Sequence, residues 1–161
     1  MIWCTIICWE YNTPFKLQFS VAEKRFQLSQ QIFNSFQIKT KNKELLSLIT
    51  NGLQFDCDNS NITLFNDCGC NCFWICPALN DLSTLNEFNF KPNKIKPKES
   101  AIVYNYKLAK KSELKRRKNT MLEVHLINIS LNKNWGFNLK RKSIEQCPLW
   151  INLSINLEYF S

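Results

Sequence analysis

A basic loop at residues 132–143 constrains the architecture of this chain more closely than any other segment, and it reads Asn-Lys-Asn-Trp-Gly-Phe-Asn-Leu-Lys-Arg-Lys-Ser. Gly136 permits a tight reversal of the backbone, and Trp135 can pin the loop to a core. Arg141 can bind a phosphate through two parallel hydrogen bonds. A charged hairpin loop without a ligand has the same composition, so composition alone leaves both interpretations open.

Apolar alternation on both sides of this loop indicates strands. Residues 3–9 are apolar on both faces, which is typical of a strand covered on both sides. Phe15, Leu17 and Phe19 alternate with polar residues, as in a half-buried strand. Further strands are predicted at 53–57, 62–65, 72–76, 101–106, 121–131 and 149–157. Many short strands with one or two helices predict a mainly β fold, a β-sandwich with helical additions.

One helix is predicted after residue 42. Asn42 can cap its first turn. The side chains of Leu45, Leu46 and Ile49 would share its apolar face, and Gly52 follows as its expected end.

The remaining segments are less regular. Residues 29–41 predict a loop or a short helix, and the prolines within 77–98 predict a long loop. Residues 107–118 are strongly basic and good helix formers. The segment 107–120 is therefore expected to be a basic helical or loop insertion.

Length and composition bound the class of protein. The chain has 161 residues, which is the size of a single domain, 1–161. Its net charge of +8 suggests an anionic partner. Three glycines are too few for a glycine-loop nucleotide site. His125 is the single histidine, and the sequence shows no arrangement of carboxylates suited to general acid–base catalysis. Neither an enzymatic activity nor a cofactor is therefore expected.

The eight cysteines are expected to be reduced. No apolar run reaches the ~18 residues of a membrane-spanning helix, and residues 1–9 lack the basic start and cleavage pattern of a signal peptide. Without a signal, reduced thiols of the cytosol or nucleus are the expectation.

Four of the cysteines are clustered, namely Cys68, Cys70, Cys72 and Cys76. Four thiolates can hold zinc tetrahedrally, so a zinc-stabilised module is one interpretation. The gaps of a single residue instead favour a row of small apolar side chains on one face of a strand. Core cysteines are the preferred interpretation, with redox chemistry as a further alternative.

The basic run 107–118 also has alternatives. It can bind nucleic-acid phosphates, serve as a nuclear localisation signal, or be a solvated helix. Together with 133–142 it makes a basic nucleic-acid-binding protein the first alternative function. His125 lies in a strand pattern and is predicted to be exposed or to face a neighbouring strand.

The loop and the segment after it resemble a known family. Residues 133–136, 140–142 and 147–151 read Lys-Asn-Trp-Gly, Lys-Arg-Lys and Cys-Pro-Leu-Trp-Ile. They resemble, in register, the K-G-W-G, R/P-R-Q and T-P-C-W-I segments of the Smad C-terminal domain, the second Mad-homology domain. Residues 3–6 and 9–12 resemble its opening W-C-S-I and Y-E-L-N. Further ordered matches lie at 25–28, 44–52, 73–77 and 95–105, so the resemblance spans nearly the whole chain.

The resemblance implies a fold and a function. The fold would be a β-sandwich of the Smad and forkhead-associated type, with a loop–helix cap at one end and helices at the other. The function would be that of a signalling adaptor and transcription regulator of a TGF-β-type pathway, in the cytoplasm and nucleus. Its implied partners are Smad-family proteins, transcription factors and receptor kinases, without a membrane partner.

The resemblance also implies roles for residues in the loop. By motif position, Lys133 and Arg141 would contact the phosphate of a phosphoserine tail, and Lys140 would support them. Trp135 and Gly136 would shape the loop. A phosphoserine carries close to two negative charges, which suits a cationic loop on a rigid sandwich.

The sequence departs from the family pattern in several places. The family's third phosphate contact, a lysine, is Ile102 here, and the region between Tyr106 and Met121 is shorter than the family's pair of bundle helices. A reduced helical end and an incomplete trimer face are therefore expected. The sequence also shows no S-x-S tail. Because it shows no N-terminal DNA-binding domain, no direct DNA contact is expected. A partner-binding pathway antagonist that does not form trimers is the second alternative function.

Overall fold

A computed structural model describes residues 1–35, 43–79, 91–115, 125–136 and 138–161. These residues form two antiparallel sheets with short helices at their ends. The strands are β1 Cys4–Glu10, β2 Thr13–Val21, β3 Arg25–Leu28, β4 Gly52–Cys57, β5 Asn61–Asp67, β6 Cys72–Ile75, β7 Asn93–Ile95, β8 Ser100–Asn105, β9 Leu126–Leu131 and β10 Trp150–Ile155. The helices are α1 Gln30–Ser35, α2 Lys43–Ile49 and α3 Tyr106–Lys115, with 3-10 turns at Ile144–Gln146 and Leu157–Tyr159.

The two sheets pack face to face. Their strand orders are β2-β1-β10-β9-β6-β7 and β3-β4-β5-β8. In the first sheet, Ile6 of β1 lies opposite Leu153 of β10, and both are fully buried. The second sheet contributes its own buried side chains to the same core, among them Phe55, Ile62, Leu64, Val103 and Tyr104. The mainly β sandwich predicted from the alternating pattern is confirmed.

The outer face of the first sheet carries a second, smaller core. Trp9 lies opposite Trp150 in the β1–β10 register, and their rings stack with centroids 4.9 Å apart and planes 8° from parallel. This small core, called the outer cluster below, consists of Ile75, Trp135, Ile144, Cys147 and Trp150, with Trp9 and Phe73 packed against it. One face of β1 thus packs into the sandwich, and Trp9 on the other face packs beneath the segment that contains the basic loop.

The helices lie at opposite ends of the sandwich. The Gly69 N–H, in the turn between β5 and β6, donates a hydrogen bond of 2.7 Å to a carbonyl of α2. The same turn meets the basic loop, because the Asn132 N–H donates to the Asn71 carbonyl at 2.8 Å. At the other end, the Ser112 hydroxyl of α3 donates to the carbonyl of Ala78, just beyond β6. The described residues therefore have α1 and α2 at the end of the basic loop and α3 at the opposite end.

The glycine expected to end a helix has another role. α2 ends at Ile49, and Thr50 takes the left-handed conformation with φ of 47°. Gly52 instead opens β4 with φ of +86°. Asn42, the predicted cap, lies outside the described residues.

Other element boundaries also differ from the predictions. The long loop predicted for 77–98 contains β7, which pairs with β6 through Ile95 and Cys72, while 80–90 lie outside the described residues. The strand predicted to include Tyr106 ends one residue earlier, because Tyr106 opens α3. The predicted segment 29–41 contains α1, and its part at 36–41 lies outside the described residues. The predicted segment 107–120 contains most of α3, and 116–120 lie outside. The predicted strand 121–131 contains β9, and 121–124 lie outside. Among the described residues, no helix has the length and apolar character required to span a bilayer.

Candidate functional site

The basic loop begins with a sharp change of direction at the end of β9. Asn132 has a φ of 63°, a left-handed conformation that asparagine tolerates well. The next carbonyl, that of Lys133, accepts a hydrogen bond of 2.7 Å from the Ser130 hydroxyl and faces the Cys147 thiol at 3.6 Å. Because Ser130 and Cys147 are both buried, these contacts attach the start of the loop to the interior of the protein.

Trp135 anchors the middle of the loop. Its side chain is only 2% exposed and packs in the outer cluster. The neighbouring Trp150 is held in turn, because its indole Nε1 donates to the Tyr11 carbonyl at 2.6 Å. A buried indole of this size contributes several kcal/mol, roughly 3–5 by truncation, so the loop is a packed part of the fold.

A turn brings together the two limbs of the loop, which are the segments before Gly136 and after Leu139. The Gly136 N–H donates to the Arg141 carbonyl at 2.9 Å, and the Leu139 N–H donates to the Gly136 carbonyl at 3.1 Å. Gly136 has a φ of +133°, in the range that favours glycine. The predicted role of Gly136 as the residue of a tight reversal therefore agrees with the backbone geometry.

The exit of the loop is fixed by a side chain that the motif did not reveal. The Gln146 Oε1 atom accepts hydrogen bonds from the N–H groups of Lys142 at 2.5 Å and Ser143 at 3.3 Å. A serine followed three residues later by glutamine is the sequence signature of a capping box. Gln146 was therefore detectable from sequence, whereas the contacts of Ser130 and Tyr11 depend on the tertiary fold.

The cationic side chains of the loop differ in exposure. Lys133 and Arg141 are half-buried, and Lys140 is exposed. Among the described residues, none of these three forms an ion pair with a carboxylate. Burial raises the pKa of the Cys147 thiol, and the nearby positive charge of Arg141 acts in the opposite direction. Since the Lys133 carbonyl also faces this thiol, Cys147 marks the point at which the two limbs of the loop approach each other.

The clustered cysteines are core residues and do not lie along one strand. Cys68 and Cys70 lie in the turn before β6, where each is almost completely buried. Cys72 and Cys76 are separated by the length of β6, about 13 Å at 3.3 Å per residue, which is too far for one metal ion. No group of three or more His, Cys, Asp or Glu side chains in the described ranges is arranged to hold a metal.

Two of these thiols interact directly. The Cys68 thiol donates a hydrogen bond to Cys70, which raises the pKa of Cys68 and lowers that of Cys70. All eight cysteines of the chain are free and buried. The preferred interpretation as core cysteines therefore agrees with the structure.

The second basic segment lies away from the loop. α3 sits at the end of the sandwich where β9 begins, and the loop follows the end of β9, about 17 Å away along the strand. The described parts of the two basic segments therefore do not form one continuous surface. His125 precedes β9 and is partly buried, with its Nδ1 atom 3.0 Å from the Tyr104 hydroxyl.

Comparison with known proteins identifies the family. The sequence model of the MH2 domain matches residues 1–156. The chain belongs to the MH2 domain family. The resemblance to the Smad C-terminal domain, drawn from ordered motifs, is thereby confirmed. Because MH2 domains are interaction domains, this chain is a protein-interaction domain.

Solved structures show the same sandwich at low sequence identity. The crystal structure of the interferon regulatory factor 9 IAD domain is similar with a TM-score of 0.63 and 7% identity, over 95% of this chain and 82% of that chain. A chain in the crystal structure of STAT2 in complex with IRF9 is similar with a TM-score of 0.62 and 6% identity, over 97% and 92%. No curated protein matches the sequence. At such identities the structural likeness establishes the fold alone.

Proposed function

We propose that this MH2 domain is a signalling adaptor whose basic loop recognises phosphoserine tails of partner proteins. One observation carries the proposal: the loop packs on the outer cluster through Trp135, while Lys133, Lys140 and Arg141 form no ion pair with a carboxylate of the described residues. A loop that is rigid and presents these three cations is suited to a dianionic phosphate, because little side-chain or backbone freedom is lost on binding.

The proposed contacts follow from position and exposure. Lys133 and Arg141 would bind the phosphate, since both are half-buried and belong to limbs that a Gly136–Arg141 hydrogen bond holds together. Partial burial strengthens a charge-assisted hydrogen bond relative to one in open water. Lys140, which is exposed, would add long-range attraction.

We further propose the cellular setting that family membership suggests. The domain would act in a TGF-β-type pathway, in the cytoplasm and nucleus, as a regulator of transcription without catalytic activity. Its partners would be Smad-family proteins, transcription factors and receptor kinases, with any contact to DNA made through a partner. A reduced trimer face is part of the proposal, since the described residues at the α3 end of the sandwich contribute that helix and the 3-10 turn Leu157–Tyr159.

The test is a binding titration. A peptide that ends in Ser-x-Ser with both serines phosphorylated is titrated against the wild-type chain, Lys133→Ala and Arg141→Ala. Each truncation is expected to weaken binding by about ten- to hundredfold, since a charge-assisted hydrogen bond contributes ~1.5–3 kcal/mol. The unphosphorylated peptide should bind at least about tenfold more weakly than the phosphorylated one.

Lys94→Ala is the matched control, because Lys94 is an exposed lysine of β7. It removes the same charge and should leave the affinity almost unchanged. Equal, salt-sensitive binding by all four proteins would mean that only net charge is recognised, and the proposed pocket would then be rejected.

A further inference from the structure

We infer that the outward face of α3 docks an acidic segment of a partner protein that also presents an apolar side chain. The inference is independent of the phosphoserine proposal, because α3 lies at the opposite end of the sandwich from the basic loop.

The orientation of α3 is fixed by its inward face. Ala109 is fully buried, and the Tyr106 ring stacks on Phe160 with centroids 5.6 Å apart. The first turn is capped by Asn105, whose Oδ1 atom accepts a hydrogen bond from the Leu108 N–H at 2.9 Å. These contacts determine which side chains the helix presents to solvent.

The opposite face carries one continuous stripe. It consists of Lys107, Lys110, Lys111 and Leu114, all exposed and spaced as i, i+3, i+4 and i+7. Residues with this spacing are neighbours on one side of a helix and span about 10 Å along its axis. Leu114 is 81% exposed, so an apolar side chain stands at the end of a row of positive charges. This set is called the α3 stripe below.

No carboxylate of the described residues compensates the charges of the α3 stripe, although the Lys110 Nζ atom lies 5.7 Å from the centroid of the Tyr106 ring. None of the three lysines forms an ion pair there, and the acid of the helix, Glu113, instead lies 3.7 Å from the Nε2 atom of His125. Like charges at i+3 and i+4 destabilise a helix. A partner that supplies carboxylates would relieve this repulsion, so charge complementarity identifies an acidic ligand.

The exposed leucine favours a protein over other anions. Phosphates of a nucleic acid would neutralise the lysines but leave Leu114 in water, and the basic loop lies too far along β9 to extend the same track. A membrane-surface helix needs a broad apolar face, whereas the exposed apolar side chains of α3, Leu108 and Leu114, are six residues apart and are not neighbours on one side of the helix. An acidic peptide with one or more apolar residues satisfies both parts of the stripe.

The test uses the full chain and a fluorescent synthetic peptide that repeats Glu-Glu-Leu, with a Glu-Glu-Gly repeat for comparison. The triple variant Lys107→Gln, Lys110→Gln, Lys111→Gln should weaken binding of the leucine peptide by about tenfold or more. Leu114→Ser should weaken binding of the leucine peptide by about threefold and leave the glycine peptide unchanged. Circular dichroism confirms that each exposed-site variant keeps the fold.

The matched control changes three exposed lysines in and beside β7, by Lys91→Gln, Lys94→Gln and Lys96→Gln. It should leave the affinity within about twofold of wild type. Equal losses in the two triple variants would overturn the inference, because net charge alone would then explain binding. Tighter binding of duplex DNA or of phosphatidylserine vesicles than of the leucine peptide, lost in the same α3 variant, would also overturn it.

Discussion

Gly52 opens β4 with φ of +86°, and a Cβ atom built there would lie 1.8 Å from the carbonyl oxygen of Leu28. The atom that this Cβ would meet belongs to the backbone of Leu28, so no side-chain rotation relieves the clash. We expect Gly52→Ala to lower the free energy of unfolding by about 2–4 kcal/mol, from left-handed strain plus overpacking. Urea denaturation of the two proteins measures this difference.

Gly69 offers the control for the same substitution. A Cβ atom at Gly69 would meet the Leu48 carbonyl oxygen at 3.4 Å, which is close to ordinary contact. Gly69→Ala is therefore expected to change stability by less than about 1 kcal/mol. If the two variants lost similar stability, the close approach of β3 to Gly52 would not be the constraint described.

Gly52 is prominent in the sequence, but the role predicted for it, that of ending a helix, is wrong. A glycine just after a helical pattern is a common end signal, yet α2 ends at Ile49 and Thr50 itself takes the left-handed conformation. The need for glycine at residue 52 comes from Leu28, which is distant in sequence. A local pattern cannot reveal such a contact.

At the scale of elements, the loop depends on its single buried indole. Trp135→Ala would open a cavity in the outer cluster, which we expect to destabilise the loop and the residues beneath it by about 3–5 kcal/mol. Trypsin cleaves after Lys140, Arg141 and Lys142, so the rate of cleavage at these bonds reports opening of the loop. That rate should rise by about tenfold or more in the variant.

Leu139→Ala serves as its control. Leu139 belongs to the same loop but is partly exposed, at 38%, and its truncation should leave the cleavage rate near that of wild type. If Trp135→Ala were cleaved no faster than Leu139→Ala, the loop would not be held by the outer cluster.

The strands were predictable because burial alternates along them. In β5 the buried and half-buried residues alternate without interruption. The two-residue period of apolar side chains in the sequence predicted that strand. β7 was missed because it has three residues and only Ile95 is buried, which is too short for a period to show. The basic loop was found from its motif, but its packing on Trp9 and Trp150 requires the register of β1 with β10.

Across the whole molecule, both sheets of the sandwich bury cysteine thiols. Cys8 of β1 and Cys57 of β4 belong to different sheets, and both are nearly inaccessible. Burial raises the pKa of Cys8 to about 12 and that of Cys76 to about 11, from an ordinary value of 9.0. The main cause in both is burial, because a thiolate in these positions would lose its hydration, so the folded state binds the proton more tightly than the unfolded chain.

This difference sets the direction of the pH dependence. Below about pH 9 both states hold the thiol protons, and the stabilisation is fully present. Above that pH the unfolded chain releases protons that the folded chain retains, so the free energy of unfolding falls as pH rises toward the folded pKa values. Each such thiol contributes a loss of about 1.4 kcal/mol per pH unit in this window.

We therefore expect the free energy of unfolding, measured in urea, to fall steeply between about pH 9 and pH 11. Cys8→Ala should be less stable than wild type at neutral pH, because a buried sulfur is lost, yet its slope above pH 9 should be shallower by about 1.4 kcal/mol per pH unit. Val21→Ala also truncates a buried side chain but removes no titratable group, so its slope should equal that of wild type. Parallel slopes for wild type and Cys8→Ala would mean that this thiol ionises as readily in the sandwich as in water. That outcome would contradict the raised pKa of Cys8.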